Sequence, residues 1–233
     1  MKEIHPIYEH LEKGIKPFEI IVCPELIYDP YLFVKQFNSE HIDWFINLRD
    51  TNECAIFSNL NKKSKSCFGY QSCTGIIAIG KSKKTGENIS FLTHQLSPDF
   101  SLSKSKEHSQ YFIDFVKKLQ NKMETFLAET EEMTRDIIMF GGINNDKNNS
   151  NVDAFLNFTA EIIFKKSKIV PRIIKPPKAD GTTNILLDTQ NRKIYFNEYI
   201  VNKDDSATTK GFVAEYSPYI NVVIRKELIS CLN

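Results

Sequence analysis

Two neighbouring stretches carry the clearest pattern of apolar and polar positions. Residues 73–80, Cys-Thr-Gly-Ile-Ile-Ala-Ile-Gly, and 88–95, Asn-Ile-Ser-Phe-Leu-Thr-His-Gln, flank a Lys/Thr/Gly segment at 81–87. β-Rich apolar runs on either side of such a segment predict a hairpin. The midpoint between positions 73 and 94 falls between Lys83 and Lys84, inside the turn, so antiparallel pairing about it sets Cys73 opposite His94. Over 107–128, Phe112, Phe115, Val116, Leu119, Met123, Phe126 and Leu127 recur at helical spacing and predict a helix with one apolar face. A buried strand, Asp136–Phe140, ends in Gly141-Gly142. A second helix is expected at about Val152–Phe164, with Ser150 and Asp153 at its start.

Downstream, Asn184–Asp188 and Lys193–Tyr199 flank a turn at Thr189–Arg192 and predict a second hairpin. Further strands are expected within Gly211–Tyr216 and Tyr219–Arg225. Towards the N-terminus the pattern gives a short helix at Ile7–Leu11, a strand at Pro17–Cys23, and helices around Tyr31–Phe37 and Glu40–Leu48, the last carrying Trp44. A strand at Glu53–Phe57 and a lysine-rich loop from Asn59 to Ser66 follow. Residues 1–50 therefore read as an extension packed on the core, and 51–233 as the main domain. Strands outnumber helices and pair through hairpins. That predicts an α+β protein with mixed or antiparallel sheets flanked by helices, rather than a doubly wound parallel sheet.

Composition adds limits. The 233 residues carry a formal net charge of +1, so charge does not point to nucleic acid or an anionic membrane. Local lysine runs at 62–65, 81–84 and 165–168 read as solvated loops. The N-terminus is charged from the start, without the apolar core of a signal peptide, and no run approaches a membrane span. Five scattered cysteines without C-x-x-C, and histidines without H-x-x-x-H, imply no disulfide framework, no metal and no cofactor. A cytoplasmic monomer is expected.

A thiol beside an imidazole is the minimum set for nucleophilic catalysis, because the imidazole generates the thiolate and then protonates a leaving amine. Cys73 and His94 are the candidate pair. A third group usually orients the imidazole, and Ser66, Ser72 and Gln71 are candidates. The backbone N–H groups of Cys73 and Thr74 are candidates for an oxyanion hole. The bland alternative is that Cys73 is a small buried hydrophobe and His94 a hydrogen-bonded core residue. Cys23, Cys54, Cys67 and Cys231 read as structural.

The ordered series Ser72-Cys73, strand, turn, strand, His94, long helix, Phe140-Gly141-Gly142, helix and terminal hairpin resembles the CheD family of chemoreceptor glutamine deamidases. It also resembles protein N-terminal asparagine amidohydrolase, whose Leu-Thr-His and Gly-Gly echo Leu92-Thr93-His94 and Gly141-Gly142. Both are similar in catalytic plan to the deamidase domain of cytotoxic necrotizing factor toxins. The resemblance spans residues 53–200 and implies an α/β/β/α sandwich, with Cys73 as nucleophile and His94 as general base. It further implies hydrolysis of a protein glutamine or asparagine amide, with Gln71, Gln95, Gly141 and Gly142 as candidate pocket residues and a protein as partner. The family threonine six residues before its cysteine corresponds to Cys67, and its glycine before Ser-Cys to Gln71. A lysine- and asparagine-rich chain of this kind is compatible with an effector or toxin delivered into a host cytosol. Transglutamination is a further outcome of the same thioester, and a catalytically silent binding module is the rival from another class.

Overall fold

The computed structural model describes residues 18–19, 35, 38–42, 55–70, 73–96, 106–141, 149–174, 180–201, 207–215 and 223–224. The first of two mixed five-stranded sheets contains β2 (Glu40–Ile42), β4 (Lys65–Tyr70), β9 (Asp180–Asp188), β10 (Lys193–Val201) and β11 (Ala207–Glu215), in the order β11-β10-β9-β4-β2. The second contains β3 (Ala55–Phe57), β5 (Cys73–Lys81), β6 (Asn88–Leu96), β7 (Asp136–Gly141) and β8 (Arg172–Ile174), in the order β3-β6-β5-β7-β8. A separate parallel pair joins β1 (Phe18–Glu19) to β12 (Val223–Ile224). Neither five-stranded sheet closes into a barrel. The chain is therefore a mixed α+β protein.

The two sheets face one another across one core. Cys67, Tyr70, Ile185 and Leu187 from the first meet Cys73, Ile77, Leu92, Ile138 and Phe140 from the second. The other face of the second sheet, with Ile76, Ala78, Phe91, Ile137 and Met139, lies under helices α1 (Lys106–Glu129) and α2 (Asn149–Ser167). β5 and β7 are thus covered on both faces, which explains why their sequences are nearly continuous apolar runs. The predicted stripe of α1 supplies Phe115, Leu119, Met123 and Phe126, all essentially buried. Each such side chain contributes about 1.5–3 kcal/mol on burial, against tenths of a kcal/mol for helix propensity. Tertiary packing holds α1.

Several expectations need correction. Glu40–Ile42 is a strand, not the start of a helix, because it pairs in parallel with Lys65–Cys67 and its Glu40 carboxylate accepts bonds from Asn59 and Asn61. The loop expected up to Ser66 gives way to β4 at Lys65. The Lys65 amine is fully buried, and it is satisfied by Asn61 Oδ1 at 2.7 Å, by the Lys63 carbonyl and by Glu40 at 3.6 Å. α2 starts at Asn149, so Ser150 lies inside its first turn. The predicted elements at Ile7–Leu11, most of Pro17–Cys23, most of Tyr31–Phe37, Trp44 and most of Tyr219–Arg225 lie outside the described residues.

The first hairpin is present, but with its centre shifted. Lys81 pairs with Asn88, Ser82 N–H donates to the Glu87 carbonyl at 2.8 Å, and Gly86 closes the loop at φ +70°. That turn places the centre between Lys84 and Thr85. Cys73 is consequently opposite Leu96, and Thr74 opposite Gln95.

Candidate functional site

The shift is two residues at the far end of the hairpin, so it preserves the face. Cys73 shares the inner core with Ile77 and Leu92, and the strand alternation puts His94 on that same face as Leu92. Cys73 and His94 are therefore diagonal neighbours rather than a direct pair. The residue that meets the imidazole comes from the other sheet. Cys67 Sγ lies 3.1 Å from His94 Nδ1, a hydrogen bond that crosses the core from β4 to β6. Cys67, read from the sequence as structural, is thus a hydrogen-bonding partner of His94.

A bulge makes this geometry. Cys67 pairs with Ile185 but Tyr70 with Thr183, which leaves one extra residue in β4, and Gly69 occupies φ +80° there. Without the extra residue, positions 67 and 70 would point to opposite faces. With it, Tyr70 joins Cys67 on the inner face and lays its ring on His94, with centroids 4.0 Å apart and planes at 15°. The Tyr70 hydroxyl donates to the Thr93 carbonyl at 2.6 Å, while Ile76 N–H donates to Thr93 Oγ1 at 2.8 Å. The β5–β6 ladder is opened at this point, and side chains take over its bonds. Behind Tyr70, Phe140 packs edge-on at 5.0 Å and 74°. Phe140 lies over Gly75, its direct partner across the β5–β7 ladder.

The electrostatics follow from burial. His94 is fully enclosed, and desolvation pushes its pKa down to about 3, so the imidazole is neutral across the physiological range. Burial, followed by the neighbouring Cys67 and Cys73 thiols, pushes the Tyr70 phenol well above its ordinary value and keeps it protonated. Tyr70 is within electrostatic reach of both thiols. Both cysteines are buried and outside any disulfide.

The other candidates are placed as follows. Ser66 is on the opposite face of β4 from Cys67, where its hydroxyl bonds His41 Nδ1 at 3.0 Å and Ser39 at 3.2 Å. Thr74 and Gln95 pair with each other, and alternation puts their side chains on the helix-covered face, away from Cys73. Thr74 Oγ1 and Gln95 Nε2 are buried there without a hydrogen bond among the described residues, and Gln95 Oε1 accepts from Thr93. Gly141 ends β7 opposite Thr74. Gln71, Ser72 and Gly142 lie outside the described residues.

The side chains brought together are Cys67, Tyr70, Cys73, His94 and Phe140, and the sequence pattern does not anticipate Cys67 and Tyr70 among them. A glycine inside a strand-like run, at Cys67-Phe68-Gly69-Tyr70, is the signal of a bulge that could have found them. Among the described residues, no three His, Cys, Asp or Glu side chains gather as a metal site, and no helix is long and apolar enough to cross a membrane. Compared with known proteins, the chain matches no family model and no curated protein.

Proposed function

We propose that the chain is a cysteine-dependent amidohydrolase, on an α/β/β/α sandwich of the CheD and cytotoxic necrotizing factor type, that converts a glutamine side-chain amide of a partner protein to glutamate. The observation that carries this reading is the 3.1 Å contact between Cys67 and His94 Nδ1. Cys67 stands where the resemblance places the third member of the site, and a second thiol, Cys73, shares the face of the sheet that bears the imidazole. Cys73 is itself buried, but it begins β5 opposite Leu96, which is 41% exposed, so of the two thiols it is the one paired with an exposed position.

In this mechanism the Cys73 proton passes to the neutral His94 as sulfur attacks the amide carbon. The C–N bond then breaks, and the imidazolium returns the proton to the departing ammonia. Water attacks the thioester, giving its proton to His94; the C–S bond breaks and Cys73 is reprotonated. The balance is amide plus water to acid plus ammonia. Cys67 holds the ring at Nδ1, and Tyr70 fixes its plane. Because burial holds the imidazole neutral, it is available to take the thiol proton, and that transfer is coupled to substrate arrival.

A second reading has Cys67 itself as nucleophile, favoured by its direct bond to the imidazole. Peptide-mapped labelling by a chloromethyl ketone analogue of glutamine separates the readings. The first expects the label on Cys73 and its loss in His94→Ala. Label on Cys67 transfers the nucleophile role to it, and no label on either thiol leaves the catalytically silent binding module.

A further inference from the structure

β6 lies between β3 and β5 in the second sheet. Ser58 N–H donates to the Leu92 carbonyl at 2.9 Å, so Leu92 turns its backbone groups to β3 and, by alternation, Thr93 turns its own to β5. The register sets Thr93 opposite Ile76, between the Thr74–Gln95 and Ile77–Leu92 pairs. An unbroken ladder would carry the Ile76 N–H to the Thr93 carbonyl. It goes instead to Thr93 Oγ1 at 2.8 Å, and the carbonyl accepts the Tyr70 hydroxyl at 2.6 Å. The Thr93 hydroxyl is itself oriented. It donates to Gln95 Oε1 at 3.0 Å, which leaves a lone pair for Ile76. Thr93 and Gln95 share the helix-covered face of β6, and both are fully buried.

We propose that Thr93, oriented by Gln95, is a positioning residue of the site: its hydroxyl stands in for a ladder carbonyl, so that the Tyr70 phenol is anchored and its ring laid on His94. The link is short and passes through the sheet. Tyr70 is bound to the carbonyl of the residue just before His94, and its ring meets the imidazole at 4.0 Å and 15°. A side chain without a hydroxyl at position 93 removes the alternative acceptor. The Ile76 N–H then turns to the Thr93 carbonyl, because a buried N–H left unpaired is costly, and competes there with the Tyr70 hydroxyl. The anchoring itself requires no activity. Its kinetic consequence rests on the amidohydrolase reading: with His94 as base, a displaced imidazole slows the chemical step. The Thr93 side chain is on the opposite face from Cys73, so substrate binding is unaffected.

The test compares the full chain with Thr93→Val, Thr93→Ser and Gln95→Met. In the wild type the ring current of Tyr70 should hold the His94 ring-proton resonances upfield of their ordinary position, with assignment by their absence in His94→Gln. Thr93→Val should move them downfield, and Thr93→Ser, which keeps the hydroxyl, should leave them in place. Gln95→Met, which frees the Thr93 hydroxyl to rotate, should move them in the same direction as Thr93→Val and decides the matter if that variant does not fold. In ammonia release from β-casein, Thr93→Val should lower kcat about tenfold or more with KM unchanged, and Thr93→Ser should recover it. His94 resonances unmoved in Thr93→Val and Gln95→Met, Thr93→Ser behaving as Thr93→Val, or a loss confined to KM would overturn the proposal. A wild type that releases no ammonia sinks the amidohydrolase reading alone, because the resonances decide the anchoring without substrate.

Discussion

Gly75→Ala probes the packing behind the imidazole. A Cβ at position 75 would sit 2.1, 2.5 and 2.8 Å from Cζ, Cε2 and Cε1 of Phe140. Carbon contacts settle near 3.5–4.0 Å, so the ring must retreat by roughly 1.5 Å. Phe140 is 1% exposed and abuts Tyr70, which in turn lies on His94. Its retreat therefore displaces the stack. Overpacking of this kind costs about 1–3 kcal/mol or more, and the alanine recovers only about 0.4–1 kcal/mol by restricting the unfolded chain. The net expectation is a loss of about 2 kcal/mol, read as a fall of roughly 1 M in the urea midpoint. Phe140→Ala alone should cost about 3–5 kcal/mol by opening a cavity. In the double variant the new methyl group occupies part of that cavity. The combined loss should then fall short of the sum by about 1–2 kcal/mol. A wild-type midpoint for Gly75→Ala, or strictly additive losses, would refute the stacking account.

Three further outcomes follow from the buried charges. His94 titrates lower folded than unfolded, so the unfolded chain binds more protons below neutrality; stability should fall as pH drops from about 6.5 towards 3, and His94→Gln should flatten that fall in acid unfolding curves. Asp136, opposed by Arg172 at 2.9 Å, is raised by burial to about 6, above its unfolded value, so stability should decline as pH rises from about 4 to 6, and Asp136→Asn should remove that decline. Lys65, lowered by burial to about 8, should make stability climb between about pH 8 and 10.5, a rise that is absent in Lys65→Met.

The hairpin, the long helix and the β7 strand were legible in the sequence because each writes its own periodicity. The second hairpin was legible for the same reason. The register was not, because one residue of turn geometry at Gly86 moves both ends of the pair. β4 was hidden by Lys65, whose charge reads as loop until Asn61, Lys63 and Glu40 are seen around it. The contact that defines the site was hidden for a different reason. It joins two sheets through a bulge at Gly69, and no local pattern records which strand faces which. The sequence sets Cys73 opposite His94 where the ladder sets it one diagonal away, and it carries no sign of the Cys67–His94 hydrogen bond.

Ammonia release from soluble glutamine-rich proteins such as β-casein, measured side by side for wild type, Cys73→Ala and Cys67→Ser, tests Cys73 as the amidohydrolase nucleophile. Release by wild type, none by Cys73→Ala, and a reduced rate in Cys67→Ser, where the imidazole loses its thiol partner, are expected. Release by Cys73→Ala equal to wild type, or no release above blank by wild type, would contradict that role.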